Sequence, residues 1–250
     1  MSDLVIVNDD GPIRTVHINR PDKKNALTGP MYDAMTAALE SLAAAPQVRC
    51  VLFKGVPGAF SAGNDLQDFL QAATSGEGVG RSAVEFLYAL VRSRRPLVAA
   101  VQGVAVGIGT TILMHCDHVV AGTDARLCTP FVGLGLVPEA ASSLIAPRLM
   151  GQRHAFSLLV MGRPLDAAAA RDCGLVNTVV EPAAVDAEAL KAAREIAALP
   201  AEAVAASRRL MRGNPDEIIA RIDAELVLFK ERLRSPEARE AFTAFLNRKR

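Results

Sequence analysis

The sequence predicts an α/β fold that ends in helices. Two patterns carry this: short apolar runs at 48–53, 97–101 and 119–121 alternate with segments of helical period, and from residue 186 onward the apolar spacing is wholly helical. A third observation is Val101-Gln102-Gly103-Val104-Ala105-Val106-Gly107-Ile108-Gly109-Thr110-Thr111, an apolar strand that runs into glycines and then opens a helix. The chain therefore divides into a core, 1–180, and a helical C-terminal region, 181–250.

Residues 4–7 and 13–18 alternate around Asp10-Gly11 and read as a hairpin. Thr28 is placed to cap a helix whose Met31, Met35, Leu39 and Leu42 recur at helical spacing, ending near Pro46 before the buried run 48–53. Further strand and helix segments follow at 97–101, 110–116 and 119–121, the alternation of βα units with parallel strands. The polar stretch 74–80 has three glycines and no apolar period, which predicts a mobile loop beside the site. After Glu181-Pro182 come helical patterns at 186–199, 202–212 and from 215 onward. In the last, Ile218, Ile222, Leu226, Phe229 and Leu233 share a face that should bury against the core or a neighbouring subunit.

With 250 residues, half of them hydrophobic, and a formal net charge of +1, the chain has room for a large core and no electrostatic reason to bind nucleic acid. The longest apolar run, 97–113, is cut by Gln102 and three glycines, so no membrane span is expected. Cys50, Cys116, Cys128 and Cys173 lack paired spacing and the first residues are acidic, which together point to a reducing cytoplasm.

The glycine stretch leaves backbone N–H groups bare where a strand meets a helix, and the helix dipole adds positive partial charge there. Phe60-Ser61-Ala62-Gly63-Asn64-Asp65-Leu66 has the same character. Two such donors aimed at one point would stabilise the oxyanion of a thioester enolate. The competing account is that Gly103, Gly107 and Gly109 only permit close packing of strand and helix. Neither a Gly-x-Gly-x-x-Gly fingerprint nor a lysine-bearing P-loop is present.

These two segments, with Asn19-Arg20-Pro21, Asn25-Ala26-Leu27, Arg163-Pro164-Leu165, Ala170 and Gly174-Leu175-Val176, resemble the crotonase (enoyl-CoA hydratase/isomerase) superfamily in order and spacing. The resemblance implies a core spiral of ββα turns in two sheets, and a helical C-terminal region that assembles trimers, often paired into hexamers. It also implies an acyl-CoA thioester as substrate, with coenzyme A entering only as part of it and no further cofactor or metal. Matched to the family pattern, the oxyanion donors fall on the N–H groups of Ala62 and Ile108, within a substrate-binding set of Ala62, Gly63, Asn64, Asp65, Leu66, Gly107 and Ile108.

Hydratases of this superfamily use two glutamates, and those positions hold Thr111 and Phe131 here. Paired-carboxylate activation of water has no residues to run on. Between Phe86 and Val180 the only glutamate is Glu139, in Val137-Pro138-Glu139-Ala140-Ala141, a context similar to the Δ3,Δ2-enoyl-CoA isomerases of the peroxisomal type. The ending Phe245-Leu246-Asn247-Arg248-Lys249 leans the same way. The resemblance therefore implies a double-bond isomerase with Glu139 as base. Two alternatives stay open: a hydratase-like enzyme of altered reaction, and a non-catalytic CoA-thioester-binding homologue in which Glu139 opens a helix at Pro138 and faces water.

Other candidates have two accounts each. Arg20, Lys23 and Lys24 either meet the phosphates of coenzyme A or form a solvated charged loop. Asp65 and Asp68 either contact substrate or, as Asp65 suggests, order their loop. His115, Cys116, Asp117 and His118 have the look of a metal cluster, yet they fall at a buried helix end in the family pattern, and no metal is expected.

Overall fold

The computed structural model describes residues 4–65 and 80–247; Leu66, Asp68, the stretch 74–79 and the final basic residues lie outside them. Strands β1 (Val5–Asp10) and β2 (Ile13–Ile18) form the expected hairpin, Asp10 opposite Ile13. Helix α1 (Gly29–Glu40) follows and buries Met31, Met35 and Leu39. Thr28 is its N-cap in extended conformation, but its side chain makes no capping bond. Pro30, at the second helical position, lacks the N–H that such a cap would satisfy.

Next come β3 (Cys50–Lys54), β4 (Ala59–Ser61), α2 (Arg81–Arg92), β5 (Leu97–Val101), β6 (Val104–Val106) and the short α3 (Ile108–Thr111). The chain continues through β7 (His118–Gly122), β8 (Arg126–Cys128), α4 (Ser142–Leu159, broken at Gly151), β9 (Leu165–Asp166), α5 (Ala167–Asp172) and β10 (Thr178–Val180). Four helices close it: α6 (Val185–Ala198), α7 (Ala201–Arg212), α8 (Pro215–Leu233) and α9 (Pro236–Asn247).

The strands form two sheets, β1-β2-β3-β5-β7-β10 and β4-β6-β8-β9. Among the described strands, β1 with β2 and β8 with β9 pair antiparallel and the other strand pairs are parallel. Parallel strands covered on both faces read as continuous apolar runs, and β3 and β5 show why. Val51, Phe53, Leu97, Ala99 and Val101 join the main core, while Cys50, Leu52, Val98 and Ala100 face a second cluster closed by Val185, Ala189, Ala193 and Ala197 of α6.

The helical region is thus wrapped onto the core. Ile222, Leu226, Phe229 and Leu233 of α8 belong to the same main cluster as the strands. That helical face is filled from within the chain and does not wait for a partner. No helix among the described residues is long and apolar enough to cross a membrane.

Candidate active site

The two glycine-bearing segments meet where β4 pairs with β6. A Cβ on Gly109 would lie 2.6 Å from the Ser61 carbonyl oxygen, and one on Gly63 would lie 2.8 Å from that of Val106. Both distances are closer than a methyl group tolerates, so glycine is what lets segment 61–63 touch 106–109. Close packing and bare donors are the same design.

Asn25 fixes the first segment from below. This fully buried residue sits at φ 57°, donates from Nδ2 to the carbonyls of Ile18, Ala59 and Phe60 at 2.9, 3.0 and 3.1 Å, and accepts from the Arg20 N–H at 2.7 Å. Ser61 Oγ donates to the Asn25 carbonyl at 2.9 Å and accepts from the Gly63 N–H at 3.1 Å.

The donor assignment on this segment needs correction. The Ala62 N–H, expected as one donor, already donates to the Lys24 carbonyl at 2.9 Å. Leu27 bridges Asn64 in parallel, receiving from the Asp65 N–H at 2.8 Å and donating to the Gly63 carbonyl at 2.8 Å. In that pattern the N–H of Asn64 points away from Leu27. It has no acceptor among the described residues. On the second segment Gly107, at φ 56°, donates to the Cys128 carbonyl at 2.8 Å and turns the chain into α3. Ile108 is the first residue of that helix, where an N–H has no intrahelical carbonyl. The bare pair is therefore Asn64 and Ile108.

Glu139 lies against the second of these segments. It does not open a helix facing water, since α4 starts at Ser142 and Glu139 is only 9% exposed. Thr111 Oγ1 donates to its Oε1 at 2.6 Å, so the hydratase-position threonine has become the partner of the remaining glutamate. Burial pushes the Glu139 carboxyl up to about 8, aided by the charge of Glu225 and opposed by the Thr111 hydrogen bond. The Tyr32 hydroxyl donates to Asn64 Oδ1 at 2.5 Å. Burial first, and then the Glu139 charge, hold that phenol well above its usual range.

Other candidates fall into place around this centre. Arg20 is held by its own loop: its Nη1 donates to Asp65 Oδ2 and the Ala26 carbonyl, at 2.7 and 2.9 Å. That partly buried ion pair also makes Asp65 a loop-ordering residue. Lys23 and Lys24 are exposed on the rim, with Lys24 at φ 49° turning its carbonyl toward Ala62.

The His115 to His118 cluster is dispersed. His115 Nε2 is 2.8 Å from the Ala140 carbonyl, and Asp117 accepts from Arg208 Nε and the Leu97 N–H, both at 2.8 Å. No group of three or more metal-ligating side chains occurs among the described residues. Burial holds the thiols of Cys50 and Cys116 at about 12, which makes them inert. A cavity of about 810 Å³ lined by Leu149, Ile196, Val204 and Met211 reaches His115 but none of Asn64, Ile108 or Glu139.

Tyr32, Thr111 and the Asn64 N–H are what sequence reasoning missed. The partners of Glu139 and Asn64 lie 28 and 32 positions away in the chain, and no local pattern marks them.

The model of the enoyl-CoA hydratase/isomerase family matches residues 9–250. The chain belongs to this family. It is 34% identical over 98% of its length to enoyl-CoA delta isomerase 2 of Rattus norvegicus, and spans 64% of that protein's length. It is also 32% identical, over 76% of its length and 74% of the relative, to a probable enoyl-CoA hydratase of Rhizobium meliloti. Pseudomonas aeruginosa OdaA superposes with a TM-score of 0.93 at 43% identity, covering 98% of this chain and 99% of that one. The enoyl-CoA hydratase/isomerase of Pseudoalteromonas atlantica gives 0.92 at 40% identity, covering 98% of each. The crotonase-like core with C-terminal helices is thereby shown for this family member.

Proposed function

We propose that this enoyl-CoA hydratase/isomerase family member moves a double bond of an enoyl-CoA thioester from Δ3 to Δ2. The observation that carries the reading is the buried carboxylate of Glu139, bonded to the threonine that replaces one hydratase glutamate. Delta isomerases among the relatives support the same reaction class.

In this mechanism the Glu139 carboxylate takes a proton from C2, and the electrons of that C–H bond move into the thioester. The oxygen becomes a dienolate oxyanion, held by the N–H groups of Asn64 and Ile108. The protonated Glu139 then delivers the proton to C4, and the double bond settles between C2 and C3. Atoms balance without water, and the step needs no metal. Each oxyanion donor is worth about 3 kcal/mol of transition-state stabilisation, so the pair would supply much of the acceleration. Among the basic candidates, Lys23 and Lys24 are left to meet the phosphates of coenzyme A. A solvent-facing Glu139 would have favoured the binding-protein alternative, and its burial supports the isomerase reading instead.

Assembly into trimers belongs to the same reading. Leu210, Met211, Val227 and Leu228 are more than half exposed, an apolar surface on α7 and α8 that a neighbouring subunit would cover.

The testing experiment supplies 3-enoyl-CoA and 2-enoyl-CoA separately and follows products by chromatography. Migration of the double bond without a hydroxyacyl product is expected. Hydration of 2-enoyl-CoA at a comparable rate would contradict the reading.

A further inference from the structure

We propose that Glu225, on α8, is a positioning residue for Glu139: its carboxylate clamps the left-handed turn that delivers the base to the site. The inference rests on the isomerase reading for its consequence and on the hydrogen bonds of α8 for its geometry.

Immediately after Glu139 the backbone takes two consecutive left-handed residues, Ala140 at φ 61° and Ala141 at φ 55°. Neither is glycine, so each meets the Cβ–carbonyl clash that disfavours this conformation. Locally the Ser142 N–H is satisfied by the Glu139 carbonyl at 3.0 Å, but Ala141, the N-cap of α4, has no polar side chain to bind the other free N–H groups. Glu225 does it from 84 residues away. Its Oε2 accepts from the Ala141 N–H at 2.6 Å and its Oε1 from the Ser143 N–H at 3.0 Å. From the other side His115 Nε2 donates to the Ala140 carbonyl at 2.8 Å, the only role open to it since a carbonyl cannot donate. The Ala140–Ala141 peptide, one residue beyond Glu139, is gripped on both edges.

A carboxylate 6% exposed beside Ile222, Leu226 and Phe229 is an expensive group to bury. Its pairing with two N–H donors at a helix start accounts for its retention there. Glutamine would offer one acceptor and turn an NH2 group toward the other N–H. The charged or titratable groups around the turn are Arg221, whose Nη1 donates to Ser143 Oγ at 3.3 Å, Tyr32 and His115. The Glu225 charge adds to the elevation of the Glu139 carboxyl. Through this contact the helical C-terminal region reaches into the chemistry.

The test compares Glu225→Gln and Glu225→Met, both similar in size to the native side chain, in the intact protein. Expected is a fall in kcat of at least about tenfold, since misplacing a catalytic group by an ångström is enough for such a loss, with KM within about twofold of wild type. The acid limb of the rate profile should move to lower pH in both variants, because a negative neighbour of Glu139 is gone. Amide exchange at Ala141 and Ser143 should quicken. An unchanged kcat and an unchanged limb overturn the proposal. Should Glu139→Gln itself keep full turnover, the isomerase reading fails separately, and unchanged amide protection at Ala141 and Ser143 in the Glu225 variants would then overturn the clamp as well.

Discussion

Glu139→Gln is expected to lower isomerase turnover by roughly 10²- to 10⁴-fold, the range a lost general acid–base typically costs. Glutamine keeps the shape and can still accept the Thr111 hydrogen bond, so substrate affinity should survive and the loss should appear in kcat. In wild type the base must be ionised to act. With the Glu139 carboxyl at about 8, kcat/KM of the free enzyme should climb through that pH and level off above it. Thr111→Val should not be silent, although Thr111 stands at the position of a missing hydratase glutamate. Removing a hydrogen bond that favours the carboxylate moves the rate limb to higher pH. Stopped or steady-state kinetics from pH 5 to 10 on wild type and both variants check all three statements.

The second large effect is on stability, and it runs opposite to activity. The folded-state carboxyl of Glu139 stands at about 8 against 4.5 for the free group, so the folded chain holds a proton that the unfolded chain releases. Stability from this source is present below pH 4.5 and is lost as pH rises toward 8. Buried His115 titrates at about 4 instead of 6.5, chiefly through desolvation, and has the opposite slope: it stays neutral while the unfolded chain takes up a proton, so stability falls with acid. Between pH 4.5 and 6.5 the two slopes oppose each other, and from 6.5 to 8 Glu139 acts alone of this pair, lowering stability by about 2 kcal/mol. Glu139→Gln removes only the carboxylate slope. The stability difference between variant and wild type should therefore grow in the variant's favour by up to about 5 kcal/mol from pH 4.5 to 8. Urea unfolding at a series of pH values measures it; parallel curves would show that Glu139 titrates normally. The base is held ready at the expense of the fold, the usual trade at a functional site.

Much of this arrangement is legible in the residues. The hairpin, the parallel strands and the helical end follow from apolar period. The placing of two glycine segments against each other follows from their composition and from the family pattern. What period cannot convey is which N–H is left bare. On the first segment that depends on the Lys24 carbonyl reaching Ala62 and on Leu27 bridging Asn64, both long-range events in the turn after β2. The same limit hid the partner of Arg20, which is Asp65, 45 residues on. Glu139 could be picked out because it stands alone in its segment, whereas Thr111 and Glu225 acquire meaning only through the fold that brings them to it.

The central claim is that one thioester lies between Glu139 and the N–H groups of Asn64 and Ile108. A crystal structure of Glu139→Gln soaked with 3-enoyl-CoA tests it most directly. The account predicts the thioester oxygen about 2.7–3.1 Å from both nitrogens, with the residue 139 side chain against C2 and C4 of the acyl chain. A thioester oxygen bound to neither nitrogen, or an acyl chain turned away from residue 139, would contradict it.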